Sequence, residues 1–222
     1  MKVQKSLRIL ITGGGSGGHI FPLIAIAEAL HAQAMHTGAP LDVRYFGDAG
    51  DYEILLGGKG IRVCHIVSSK WRRYLSFKNL LEPFRASIGL IQSMWRIFWF
   101  MPDIAFSKGG PGALVILFVC RFYRIPVVIH ESDTVPGLTS VVSGRFARII
   151  ALGFSNAAEY FKAMKGEKKV VGNPVRDELL QNTLTQEKAK IEFQFDPAKP
   201  VLLVVGGSQG AEALNSFVLE HS

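Results

Sequence analysis

Residues 13–19 read Gly-Gly-Gly-Ser-Gly-Gly-His, set between an apolar run (Leu7, Ile9, Leu10, Ile11) and an apolar-periodic segment (Ile20, Leu23, Ala27, Leu30). That order is a strand, a glycine turn and a helix start. Glycines at 13, 14, 15, 17 and 18 let backbone approach a ligand closely, and the helix start beyond them offers unpaired N–H groups with a partial positive charge. An anion, foremost a phosphate, is the ligand this chemistry favours. His19 stands beside it, where the positive end of the helix dipole disfavours imidazolium and leaves a neutral ring suited to general-base work on a hydroxyl.

Gly13-x-Gly15-x-x-Gly18 also fits the dinucleotide fingerprint, but that pattern needs an acidic residue about 20 positions on to hold a ribose. Asp48, the nearest candidate after the second strand, lies too far along, so a nicotinamide cofactor is not expected and no other cofactor is called for. A second anion cradle, Ser107-Lys108-Gly109-Gly110, follows another strand and precedes a helix. Two cradles on one sheet edge point to a diphosphate. His130-Glu131-Ser132-Asp133 also leaves a strand at its carboxyl end; Asp133 is the ligand-facing candidate, while His130 and Glu131 either face the ligand or brace neighbouring loops. Arg176 follows Gly172-Asn173-Pro174-Val175, where a guanidinium can clamp a phosphate at a hinge. No carboxylate pair is spaced to hold a divalent ion, so metal dependence is not implied.

These groups need a scaffold. At 222 residues and 48% hydrophobic content the chain buries a substantial core, and a net charge of +7 calls for an acidic partner. Cys64 and Cys120 have no metal-ligand or disulfide spacing and are expected as two buried thiols in a reducing cytosol. The N-terminal apolar stretch is too short for a signal peptide, and Ala113 to Cys120 falls short of the roughly 20 residues of a bilayer span.

Apolar runs at 41–46, 61–67, 104–107, 127–130, 149–152 and 170–171 predict strands; helix patterns lie at 52–56, 80–100, 113–122, 139–146 and 157–162. Alternation of this kind predicts a doubly wound parallel sheet, with ligands outside the carboxyl ends of the strands. The rhythm breaks at Gly172, and Val201 to Val205 with Gly206-Gly207-Ser208-Gln209-Gly210 and a following helix repeats the opening unit. The expected organisation is a domain over residues 1–172 and, over 173–222, a hinge and the first βα unit of a second similar domain, the rest of which lies outside the sequence.

Residues 70–100 hold five of the seven net positive charges, with Lys70, Arg72, Arg73, Lys78, Arg85 and Arg96 interleaved with Trp71, Tyr74, Phe77, Phe84, Trp95, Phe98, Trp99 and Phe100. Such a mixture is typical of surfaces that lie on anionic membranes and is favoured here over nucleic acid or a fully buried helix. Two apolar rows run along the helix: Phe84, Ile88, Ile91, Trp95 and Phe98; and Leu90, Met94, Ile97 and Met101. One row is expected on the sheet and the other against lipid, with Arg85, Trp95, Arg96, Phe98 and Trp99 as the contact residues.

Together, the strings at 14–22 (Gly-Gly-Ser-Gly-Gly-His-Ile-Phe-Pro), 107–110, 130–139 (His-Glu-Ser-Asp-Thr-Val-Pro-Gly-Leu-Thr), 172–176 and 206–211 (Gly-Gly-Ser-Gln-Gly-Ala) resemble the MurG family of peptidoglycan glycosyltransferases, over about the first three fifths of a member. The resemblance implies a GT-B fold with two Rossmann-like domains. It implies transfer of N-acetylglucosamine from UDP-N-acetylglucosamine to undecaprenyl-diphosphate-linked muramoyl-pentapeptide, with inversion, at the cytoplasmic face of the bacterial inner membrane. Here His19 matches the family histidine proposed near the acceptor hydroxyl. Ser16, Gly17, Gly18, Arg176 and Ser208 match positions expected to contact the donor or its diphosphate, while the first glycine loop with Gly109 and Gly110 would face the acceptor's pyrophosphate. Many members carry asparagine where this chain has Asp133; an ionised aspartate only accepts hydrogen bonds and repels phosphate, which fits a sugar hydroxyl.

Lacking most of the second domain, the chain is expected to have little or no transferase activity by itself. The alternatives are a membrane-docked acceptor-binding subunit of a split transferase, and a GT-B synthase that glycosylates diacylglycerol.

Overall fold

The structure, a computed structural model, describes residues 6–68, 82–110, 112–181, 184–206 and 210–221. It divides into two compact units, Met1–Val175 and Arg176–Ser222.

The first unit alternates β1 (Leu7–Thr12), α1 (Gly17–Thr37), β2 (Leu41–Gly47), α2 (Glu53–Gly58), β3 (Arg62–His65), α3 (Glu82–Phe100), β4 (Ile104–Ser107), α4 (Ala113–Phe122), β5 (Val127–Glu131), α5 (Leu138–Gly144), β6 (Ile149–Leu152) and β7 (Glu167–Val170). All seven strands pair in parallel in the order β3-β2-β1-β4-β5-β6-β7. This is the doubly wound α/β architecture expected. β1 has a strand on each side and helices on both faces, which is why its sequence is continuously apolar rather than alternating. Ile9 and Ile11 pack with Ile20, Leu23, Ile24 and Ala27 of α1. Leu10 joins the other layer, with Ile97 and Phe100 of α3 and Ile116, Leu117 and Cys120 of α4.

After β3 the chain returns through α3 to the opposite side of β1, so the strand order reverses between β1 and β4. The loops after these two strands leave in opposite directions, and the crevice between them is where open α/β sheets bind ligands. Both glycine loops therefore stand at this switch point.

Four expectations for the first unit need correction. The last strand of the first unit is Glu167–Val170, an edge strand whose charged residues blunt its open side, rather than 170–171. The segment after β6 winds as a 3-10 helix, Ser155–Phe161. Cys120 is buried but Cys64 is only half-buried. In α3, Gly89, Ser93, Ile97 and Phe100 face the protein, and of the second apolar row only Ile97 is buried. Gly89 lets the helix close on the Val67 carbonyl, which a Cβ would overlap. Small residues thus pack the inner face and leave most of both apolar rows outside.

The second unit holds α6 (Asp177–Gln181), α7 (Gln186–Glu192) and α8 (Glu212–His221). Residues 201–205, expected as a buried strand, form none, and Leu202 is 90% exposed and Leu203 79%. A parallel strand needs neighbours on its edges and cover on both faces, and the described residues of this unit supply neither.

Candidate functional site

Helix α1 starts at Gly17 with Ser16 in extended geometry at its N-cap, and the Ser16 side chain makes no capping hydrogen bond. The first-turn amides of Gly17 and Gly18 are among those an α-helix cannot satisfy internally. His19 follows one residue later, half-buried, and its Nδ1 lies 3.2 Å from the Lys108 carbonyl oxygen. A carbonyl only accepts, so Nδ1 carries the proton and Nε2 keeps its lone pair. Burial pushes His19 below its ordinary pKa of 6.5 and the nearby Lys108 charge adds to this; the bond to the Lys108 carbonyl and the Asp133 and Glu131 carboxylates pull the other way. Desolvation is the largest of the causes that keep the ring neutral.

The second loop meets the first at the ring. Gly109 and Gly110 have φ of +77° and +93°, and a Cβ on Gly110 would stand 2.6 Å from the Gly14 nitrogen and 3.1 Å from His19 Nε2. Only glycine tolerates both the left-handed backbone and the close approach. Ser107 Oγ accepts from the Gly109 amide at 3.0 Å, and Thr139 Oγ1 donates to the Gly110 carbonyl at 3.3 Å.

Beside this contact opens a cleft of about 490 Å³, lined by His19, Lys108, Gly109, Gly110, Asp133 and Thr139 among others. The structure therefore brings together four of the residues singled out in the sequence: His19, Gly109, Gly110 and Asp133. Ser16, Gly17 and Gly18 do not line it. Arg176 belongs to the second unit, with Nη1 3.9 Å from Glu178 Oε2, and Ser208 lies outside the described residues.

Three residues in or near the cleft have roles that sequence reasoning left open or missed. Glu131 is buried and braces the loop after β5: Oε1 accepts from the Asp133 amide at 3.0 Å and Oε2 from the Gly137 amide at 3.1 Å. This fixes exposed Asp133 at the rim. His130 braces too, with Nε2 donating to the Gly172 carbonyl at 2.8 Å. Lys108 was legible only as part of a loop string; that it is buried beneath the cleft depends on the crossover that sets β4 beside β1.

Away from the cleft, α3 and α4 expose an aromatic cluster. Trp95 and Trp99 are 65% and 66% exposed and pack edge to face at 5.7 Å, Phe98 meets Trp99 at 5.7 Å and Tyr123 at 6.3 Å, and exposed Phe122 joins Tyr123 at 5.2 Å. Arg85 is exposed on the same helix, and Arg96 is half-buried. Phe122 and Tyr123 were not anticipated as part of this surface. The basic residues at 70–78 lie outside the described residues, among which no helix is long and apolar enough to cross a membrane.

The sequence profile of the glycosyltransferase family 28 N-terminal domain matches residues 9–152. The chain belongs to this family. Its family 28 domain begins in β1 and ends with β6, so both glycine loops, His19, Lys108 and Glu131 fall inside it. Among curated relatives, the UDP-N-acetylglucosamine–N-acetylmuramyl-(pentapeptide) pyrophosphoryl-undecaprenol N-acetylglucosamine transferase of Treponema pallidum subsp. pallidum is 38% identical over 216 residues, covering 96% of this chain and 54% of its own length. The crystal structure of MurG from Acinetobacter baumannii superposes with a TM-score of 0.59 at 25% identity, over 77% of this chain and 46% of that one. A Staphylococcus aureus MnaA–UDP structure shares the fold, with a TM-score of 0.57 at 14% identity, over 86% of this chain and 52% of that one. The chain spans about half the length of the curated relatives it matches.

Proposed function

We propose that the family 28 domain is the acceptor half of an inverting glycosyltransferase that moves N-acetylglucosamine from UDP-N-acetylglucosamine to a lipid-linked muramoyl-pentapeptide. The observation that carries this is the cleft at the switch point, where two glycine loops and the unprotonated Nε2 of His19 meet. Relatives named for this transfer support the choice of substrates.

In this reaction the acceptor hydroxyl lies against His19 Nε2, which takes its proton as the oxygen attacks the anomeric carbon of the donor sugar. The bond from that carbon to the UDP oxygen breaks on the opposite face, and UDP leaves with the electron pair. The Nδ1–H bond to the Lys108 carbonyl orients the ring and supports the imidazolium that forms. Asp133, held at the rim by Glu131, accepts from a sugar hydroxyl. Arg176 and Ser208 belong to the donor side of the reaction, as do Ser16, Gly17 and Gly18 at the start of α1.

The aromatic face of α3 and α4 is the docking surface for an anionic membrane, where the lipid-linked acceptor resides. Its exposed rings and arginines provide the apolar and basic contacts such a peripheral association needs. The test is transfer of labelled N-acetylglucosamine from its UDP donor to the lipid-linked muramoyl-pentapeptide by the full-length protein carrying this sequence. Product with this acceptor and none with diacylglycerol supports the assignment; the reverse result overturns it.

A further inference from the structure

Lys108 carries a cation for which the described residues supply no bonded counter-ion. The residue is 4% exposed and lines the cleft, and among the described residues its ammonium makes no hydrogen bond or ion pair. The charges that face it are the carboxylates of Glu131 and Asp133, which act on it electrostatically, and the rings of His19 and His130, which feel its charge in return. Glu131 is already committed to two backbone amides and Asp133 is exposed at the rim. A largely desolvated ammonium that opens only onto the cleft, with no bonded partner among the described residues, favours an anionic ligand there.

We propose that Lys108 is the residue that holds the diphosphate of the lipid-linked acceptor in the cleft. This rests on the reading of the cleft as the acceptor site and adds to it the group that sets the ligand's register. An ammonium offers three donors to phosphate oxygens, and the glycine loops flanking it let a phosphate approach the backbone without a Cβ in the way. Asp133 repels a phosphate at the mouth and so drives the diphosphate inward, leaving the sugar at the rim. Because the Lys108 carbonyl also holds His19 Nδ1, one residue fixes both the acceptor's charged end and the ring that meets its hydroxyl.

The experiment titrates the protein with inorganic pyrophosphate, geranyl diphosphate and UDP, following heat and the His19 ring resonances. Lys108→Met is expected to weaken pyrophosphate and geranyl diphosphate about tenfold or more, a loss typical of a charge-assisted contact. UDP affinity stays unchanged, and the His19 pKa rises once the neighbouring positive charge is gone. Lys165→Met, an exposed control, alters none of these. Should Lys108→Met lose the native His19 resonances without ligand, Lys108→Gln carries the same comparison. Equal affinity of Lys108 variants and wild type for both diphosphates overturns the role of Lys108 and leaves the cleft reading intact. Wild-type protein whose His19 resonances respond to neither diphosphate overturns the cleft reading, and the lysine's role with it. A lysine dependence confined to UDP assigns the diphosphate to the donor and overturns the proposal.

Discussion

Gly110 approaches Gly14 so closely that a Cβ on Gly110 would stand 2.6 Å from the Gly14 nitrogen. This contact joins the loops after β1 and β4 and fixes the distance between the two halves of the cleft. Gly110→Ala therefore meets both a positive φ and a backbone clash, and is expected to cost about 1–3 kcal/mol. Thermal unfolding checks the stability, and the His19 ring resonances check the local displacement.

Glu131→Gln tests whether the rim loop is held from beneath. A carboxamide oxygen satisfies only one of the two amides that Glu131 accepts from, so one amide is left without its partner at a cost of about 1.5–3 kcal/mol. Faster hydrogen exchange at Asp133 and Gly137, and not in β5, is the expected outcome. Unchanged exchange would mean the loop is held by its own turn geometry.

The pH dependence follows from two histidines whose pKa values folding lowers, His19 and His130, burial being the largest cause for both. With folded values below 6.5, the unfolded chain binds more protons, so their contribution is complete above 6.5 and is lost as pH falls through the folded values. The melting temperature is expected to decline on that acidic side. His19→Gln flattens part of this slope, measured by thermal melts across the range.

Docking of the aromatic face is checked by sedimentation with phosphatidylglycerol vesicles. Trp95 and Trp99 are mostly exposed, so replacing either is expected to change stability by no more than about 0.5 kcal/mol. Trp95→Ala combined with Arg96→Ala removes one large ring and one charge worth about 1 kcal/mol at an anionic surface, and binding should fall several-fold. Binding unaffected by the double variant would assign attachment to another surface.

Legibility in the sequence followed local pattern. Strands Ile104–Ser107 and Ile149–Leu152 and helix Ala113–Phe122 match the expected bounds because apolar runs, bounded by turn residues and charges, mark them within a few positions. β7 escaped because Glu167, Lys168 and Lys169 look like loop; an edge strand does not need apolar residues on both faces. The run 201–205 misled for the converse reason, since its pattern is that of a buried strand while the described residues give it nothing to pair with.

The site divides in the same way. The glycine loops and His19 were visible as motifs, and Asp133 as a polar residue at a strand end. Lys108 under the cleft, Glu131 across the rim loop and Phe122 beside Trp99 depend on which strands and helices become neighbours. Sequence spacing does not carry that information.

The role proposed for neutral His19 is that of the base for an acceptor hydroxyl in the cleft. The most direct measurement is the rate of N-acetylglucosamine transfer by His19→Gln in the full-length protein, with acceptor binding measured in parallel. A general base at His19 entails a fall in kcat of about 10²–10⁴-fold, the usual contribution of such a positioned group, with acceptor affinity little changed. Near-normal turnover with unchanged binding would contradict it.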